Sequence, residues 1–333
     1  RDETSTARSL VLDIPGWRGH QPGQYITVRL TAEDGYQAVR DYSIASAPED
    51  PAVMLTVERL VDGEVSAYLT EEVRPGDQLE LLGPIGSYFT WRAAMGGPLL
   101  LVAGGSGITP VLSLLKTALL EEPNSRFTLF YGNRASNEIM FLEEIAALKD
   151  RFLDRLEAYH FLEDEDDEDI ALFNGRLDSG KLAELLGGLI DADDVDAAFI
   201  CGPGPMMDAV ETALTSAGVP ADRIKVERFT IDRPTAEQAA AEREIERKAE
   251  GRKIEVTLEG RRRRFAFKSA QGSILDSARA AGLPTPYACK AGVCATCRAK
   301  LVSGEVHMKA NYGLSPEEVA QGYILTCQAV PMT

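Results

Sequence analysis

Four cysteines near the C-terminal end carry the clearest chemistry in this 333-residue sequence. Cys289, Cys294, Cys297 and Cys327 follow C-x4-C-x2-C with a fourth thiol about thirty residues on, the spacing of a plant-type [2Fe–2S] centre. A four-cysteine zinc site is the rival, but it uses two C-x2-C knuckles and only Cys294 and Cys297 form one here. Two ferric ions, two sulfides and four thiolates leave a formal charge of about −2, which the surrounding loop must meet with backbone N–H donors. Ala288, Ala291, Gly292 and Ala295 are small enough to let that backbone approach. Such a centre carries single electrons, so another group must load it.

Two further sets of residues suit the loader. In Arg40-Asp41-Tyr42-Ser43 a guanidinium can hold a pyrophosphate, an aromatic ring can cover a flavin, and a hydroxyl can meet a ring nitrogen. Taken alone, the same four read equally as ordinary strand residues. Gly63-Glu64-Val65-Ser66, at an expected helix start, adds backbone donors for a phosphate. The second set is glycine-rich. Gly104-Gly105-Ser106-Gly107-Ile108-Thr109-Pro110 joins a strand to a helix, the context of a phosphate loop, although it is not G-x-G-x-x-G and also fits a tight turn without ligand. Cys201-Gly202-Pro203-Gly204-Pro205-Met206-Met207 follows a later strand of the same expected sheet, where ligands of such sheets bind. Cys201 is the one thiol outside the cluster; its strand end suits a place beside a nicotinamide, and a buried structural thiol is the other reading.

The elements that must position these residues fall into three domains and a linker. Residues 1–95 show short alternating strands (Gln24 to Leu30, Val53 to Val57, Gln78 to Leu82) between Pro-Gly turns, an antiparallel β-barrel for the flavin. Residues 96–229 alternate strands and helices, a parallel-sheet α/β nucleotide-binding domain. Residues 230–252 collapse to Ala, Glu, Arg and Lys, the composition of a solvated helical linker. Residues 253–333 hold a hairpin, a helix at Ser273 to Ala281 and the cysteines, an α+β ferredoxin domain of β-grasp type.

Charge and composition set limits on function. The balance of 35 basic and 52 acidic residues gives −17, which repels a phosphate backbone and speaks against nucleic-acid binding, while a docking partner is expected to be basic. Glycine, proline and hydroxyl residues interrupt the longest uncharged run, Ala93 to Leu115, so no membrane span is expected. The start at Arg1 lacks a signal pattern and reads as trimmed, and clustered thiols suit a reducing compartment, so the expectation is a cytoplasmic protein. His20, His160 and His307 share no motif. The seven carboxylates from Glu163 to Asp169 and the four arginines from Arg261 to Arg264 read as solvated loop and turn.

Together these motifs, with Tyr131-Gly132-Asn133-Arg134, Asn174-Gly175-Arg176-Leu177-Asp178 and Val226-Glu227-Arg228-Phe229, resemble the ferredoxin–NADP reductase superfamily fused to a plant-type ferredoxin, over nearly the whole chain. The resemblance implies FAD, a [2Fe–2S] cluster and NADPH, with NADH also allowed. It implies Arg40 on the pyrophosphate, Tyr42 on the isoalloxazine and Ser43 near its reactive nitrogen. Val57, Gly63, Val65 and Ser66 complete the flavin set, and Phe229 closes over the ring. On the nicotinamide side it implies Gly104, Gly105, Gly107, Thr109, Arg134, Gly202, Pro203 and Met206, with Ser43, Thr109 and Cys201 at the hydride-transfer point. One departure stands out: where NADPH-using relatives follow the strand near Tyr159 with Ser-Arg, this chain reads Phe161-Leu162-Glu163-Asp164. The implied activity is electron transfer from NAD(P)H to the oxygenase component of a multicomponent di-iron monooxygenase. Reductase of a Rieske-type oxygenase and a redox sensor without turnover are the alternatives.

Overall fold

The computed structural model describes every residue except 32–36, 61–62, 92–96, 166–170, 229–235, 259, 288–289, 291, 293–294, 312 and 315. Its contacts divide the chain into two units, Arg1–Thr230 and Ile231–Thr333.

The first unit opens with strands β1 (Ala7–Leu12), β2 (Tyr25–Thr31), β3 (Gln37–Ser43) and β4 (Val53–Glu58), the short helix α1 (Glu64–Ala67) and β5 (Glu80–Ile85). β2 pairs antiparallel with β3 and β5, β1 pairs with β4, and Ile44 bridges Leu55. Ile26, Val28, Ile44, Leu55, Val57 and Leu69 fill the barrel that these strands enclose.

The chain then winds through β6 (Leu99–Gly104), α2 (Ile108–Glu121), β7 (Phe127–Asn133), α3 (Leu142–Arg151), β8 (Leu156–Leu162), α4 (Ser179–Gly188), β9 (Ala197–Cys201), α5 (Gly204–Ser216) and β10 (Ile224–Glu227). The five strands form one parallel sheet in the order β10-β9-β6-β7-β8. Because strand side chains alternate, each central strand feeds two cores. Leu99, Leu101 and Ala103 of β6 meet α2 on one face, while Leu100 and Val102 meet α4 and α5 on the other. The first of these cores also takes Ala45, Phe89 and Trp91 from the barrel side. Phe89 meets Phe199 of β9 edge to face at 5.4 Å, and the Ser113 hydroxyl of α2 donates to the Ser46 carbonyl at 2.7 Å. Each large apolar side chain buried in this shared core contributes roughly 1.5–3 kcal/mol, so barrel and sheet behave as one body.

The second unit runs α6 (Ala236–Ala249), β11 (Lys253–Leu258), β12 (Arg261–Ala266), α7 (Ile274–Ala280), β13 (Arg298–Lys300), β14 (Val306–Met308), α8 (Pro316–Ala320), β15 (Tyr323–Leu325) and β16 (Ala329–Pro331). Antiparallel pairs β11–β12, β13–β15 and β14–β16 surround Phe267, Leu275, Leu325 and Val330, all buried.

Three expectations change here. The four arginines are strand rather than turn, since the reversal falls at Gly260, where φ is +77°. The charged segment is not a bare linker over its helical part: Ala249 is buried and Ile245 packs beside it against the Phe267 core. His307 has a partner in this contact, its Nε2 lying 3.0 Å from both Glu242 carboxylate oxygens, and the Lys309 ammonium bonds Glu246 at 2.9 Å and the Gly272 carbonyl at 2.7 Å. Composition averages the two faces of a helix and so hides a narrow apolar stripe. Among the described residues, no helix is long and apolar enough to cross a membrane.

Candidate functional site

Strand β3 brings Arg40, Asp41, Tyr42 and Ser43 to the barrel edge, opposite Val28, Thr27, Ile26 and Tyr25 of β2. Arg40 is exposed, Tyr42 is half-buried with its phenol pushed upward by burial, and Ser43 is buried. The Ser43 hydroxyl has no hydrogen-bond partner among the described residues. A buried hydroxyl is normally bonded, so an orphaned one at the end of β3 fits a polar cofactor edge. Val57 lies wholly inside the barrel core. Val65 and Ser66 sit on α1 just after Gly63, and the Ser66 hydroxyl holds that corner by accepting from Leu60 N–H at 3.1 Å and donating to the Gly63 carbonyl at 3.2 Å.

The two glycine loops meet at the carboxyl ends of β6 and β9. A Cβ on Gly107 would stand 2.2 Å from the Cys201 carbonyl oxygen, and one on Gly202 would stand 2.6 Å from Met206 Cε and 2.9 Å from Gly104 N. A Cβ on Gly104 would strike Pro203 Cδ at 2.6 Å. Only glycine lets these backbones touch, which is the physical reason for the glycine spacing. Gly105 takes φ +51° and its carbonyl accepts from the Tyr131 hydroxyl at 3.2 Å. Thr109 is buried in the first turn of α2, with its hydroxyl on the Ser106 carbonyl at 2.9 Å.

Cys201 is fully buried at the end of β9, and burial pushes its thiol well up, so it is no thiolate nucleophile. Beside it in the β10–β9 register lies Glu227. Burial first, and then the Asp41 charge, push the Glu227 carboxyl up to about 8, and its Oε2 is shut off from solvent with no hydrogen-bond partner among the described residues. Glu227 is the functional candidate that the sequence does not single out. It stands within the Val226-to-Phe229 segment that carries the family resemblance, but only the fold sets it against both Asp41 of β3 and Cys201 of β9.

Beyond β8 the strand ends are dressed with charge. Arg134 forms a two-pronged pair with Glu138 at 2.8 and 3.0 Å, and Arg176 pairs with Glu163. Glu163 and Glu165, expected as part of a solvated run, are therefore engaged, since Glu165 Oε1 accepts from Ser136 N–H at 2.8 Å and its hydroxyl at 3.0 Å.

In the second unit Cys297 and Cys327 are both buried, and the adjacent Cys297 thiol, followed by burial, pushes the Cys327 thiol upward. Gln328 Nε2 lies 3.7 Å from Cys327 Sγ and donates to the Lys290 carbonyl at 2.7 Å. Lys290 and Ala295 take left-handed backbone at φ +53°, a conformation that nests of N–H donors use. Two buried thiols in hydrogen-bonding contact, one from this loop and one from the turn after β15, fit one edge of a cluster with thiolate ligands. Cys289, Cys294 and Phe229 lie outside the described residues.

Comparison with known proteins follows the same modular order. Family models for an oxidoreductase FAD-binding domain match residues 6–90, for an oxidoreductase NAD-binding domain residues 101–212, and for a 2Fe-2S iron-sulfur cluster binding domain residues 256–332. The chain is 40% identical over 314 residues to one of the subunits of 1,2-phenylacetyl-CoA epoxidase from Escherichia coli (strain K12), covering 94% of this chain and 86% of that one. It is 34% identical over 339 residues to the ferredoxin reductase component of 3-ketosteroid-9-alpha-monooxygenase from Rhodococcus rhodochrous, covering 100% of this chain and 92% of that one. The solved structure of phthalate dioxygenase reductase superposes with TM-score 0.61 at 20% identity over 100% of this chain and 92% of that one, a likeness of fold. With FAD-binding, NAD-binding and iron–sulfur modules in one chain, the protein belongs to the ferredoxin–NADP reductase superfamily, in the branch fused to a plant-type [2Fe–2S] ferredoxin, and is an oxidoreductase.

Proposed function

We propose that this reductase supplies electrons to the oxygenase component of a phenylacetyl-CoA epoxidase. The observation that carries this is the 40% identity to a component of that system, spread over 94% of the chain rather than confined to one module. FAD, when bound, takes two electrons from a reduced nicotinamide and returns them one at a time, which is the form a [2Fe–2S] centre accepts.

The chain's own residues orient and insulate that exchange. Tyr42 offers a ring face, Ser43 offers a buried donor, and Arg40 and the Gly63–Ser66 corner hold the diphosphate. The close approach of Gly107 to the Cys201 carbonyl fixes the two strand-end loops against each other, which sets Thr109 and Cys201 at the same end of the sheet. Burial and then the Asp41 charge raise the Glu227 carboxyl and so favour its protonated form beside Cys201, where it can serve as a local donor. Cys289, Cys294, Cys297 and Cys327 would hold the cluster, and the loop around Arg298 is the exit surface.

The test is reconstitution. The holoprotein is mixed anaerobically with NADH or NADPH in a stopped-flow instrument, following flavin and then cluster absorption, and turnover is measured with purified phenylacetyl-CoA epoxidase oxygenase components. Coupled product formation supports the reading. Fast cluster reduction without coupling to that oxygenase, but with coupling to a ketosteroid oxygenase, moves the chain to the second partner.

A further inference from the structure

We propose that this reductase takes NADH in preference to NADPH, with Glu163 as the deciding residue and Arg176 as the group that positions it; the inference rests on the reductase reading above. A parallel sheet binds its nucleotide across the carboxyl ends of the strands, where an acidic side chain hydrogen-bonds the ribose 2′-hydroxyl or an arginine accommodates a 2′-phosphate. On the β7–β8 side of the glycine loop, those strand ends are joined. Glu163 N–H donates to the Asn133 carbonyl at 3.0 Å and Asp164 N–H to the Arg134 carbonyl at 2.8 Å, so both acidic residues continue the ladder past β8.

Glu163 is then fixed from its other side. Leu162 bridges Asn174, Gly175 N–H donates to the Leu162 carbonyl at 2.6 Å, and this carries Arg176 onto the Glu163 carboxylate. The Arg176 bond holds the Glu163 carboxyl below its ordinary range, so it is ionised and purely an acceptor at neutral pH. Among the described residues, the guanidinium groups of Arg134 and Arg176 at these strand ends are already engaged with carboxylates, Arg134 with Glu138 and Arg176 with Glu163. Asp164 and Glu165 add two more negative charges at the same strand ends. A ribose hydroxyl gains an acceptor there. A 2′-phosphate, carrying roughly −1.5 to −2 at neutral pH, meets like charge and must first break an ion pair. This reverses the preference that the family resemblance alone suggests.

The decisive measurement is the anaerobic rate of flavin reduction in the full chain, loaded with FAD and cluster, over a range of NADH and of NADPH concentrations. The expected rate-over-Kd ratio favours NADH by about 100-fold. The double substitution Glu163→Ser with Asp164→Arg is expected to raise the NADPH value by about 10-fold or more and to lower the NADH value. Arg176→Ala should raise the Kd for NADH with the limiting rate unchanged, and Arg176→Lys should restore it. Inhibition gives a readout independent of turnover: ADP should compete better than AMP bearing a 2′-phosphate. Equal or faster reduction by NADPH, or tighter inhibition by the 2′-phosphorylated nucleotide, overturns the specificity assignment and leaves the reductase reading standing. If neither nucleotide reduces the flavin, it is the reductase reading that falls.

Discussion

Glu227 of β10 and Cys201 of β9 stand side by side in the parallel register, a half-buried glutamate with an enclosed carboxyl oxygen next to a fully buried thiol at the carboxyl end of the sheet. The folded chain holds the Glu227 proton to about 8, against an ordinary value of 4.5. Below 4.5 both folded and unfolded states carry the proton and the group is neutral for stability. Between 4.5 and 8 the unfolded chain releases it first, the native state binds more protons, and stability falls as pH rises. The cost reaches a few kcal/mol, about 1.4 for each pH unit. Glu227→Gln should therefore flatten the fall in Tm between pH 5 and pH 8 and gain stability at the alkaline end; an unchanged profile in thermal melts would contradict the assignment.

The orphaned Ser43 hydroxyl predicts a kinetic effect without a binding one. Ser43→Ala should retain FAD and slow flavin reduction by about 10-fold or more, as expected when one positioned donor is lost. Stopped-flow bleaching alongside a flavin-to-protein ratio separates the two quantities.

Gly107 has no space for even a methyl group, because the obstacle at 2.2 Å is the backbone carbonyl of Cys201. Gly107→Ala should force the two strand-end loops apart and cost about 1–3 kcal/mol, with NAD(P)H affinity falling more than FAD content. Chemical denaturation and nucleotide titration check both halves of that statement.

The cysteines of the second unit predict a clean division of activities. Cys297→Ser or Cys327→Ser should remove the visible absorption of the cluster and abolish single-electron transfer to cytochrome c. Ferricyanide reduction should persist, since the first unit has its own cores and holds both the FAD-binding and the NAD-binding modules.

Ile245 tests whether α6 belongs to the ferredoxin unit. Ile245→Ala should destabilise that unit by about 1–3 kcal/mol, with His307→Ala adding a smaller loss. A free linker helix would show no change in melting of the cluster signal.

Much of this protein is legible before folding. The division into barrel, parallel sheet and ferredoxin modules, and the pattern of the four C-terminal cysteines and of both glycine loops, rest on local spacing and on periods of two and 3.6, which a chain displays directly. The arginine run reads as a turn because its charge masks the strand pairing, and α6 reads as solvated because its stripe of Ile245 and Ala249 is thin. What only the tertiary structure decides are the long-range pairings. Glu227 has its carboxyl raised because burial at the end of β10 removes the water that would ionise it and β3 then brings the Asp41 charge near. Glu163 becomes a fixed acceptor because the bridge from Leu162 to Asn174 delivers Arg176. Residue types and spacing declare which groups are available; their charge states and partners depend on neighbours distant in sequence, and those are settled by packing.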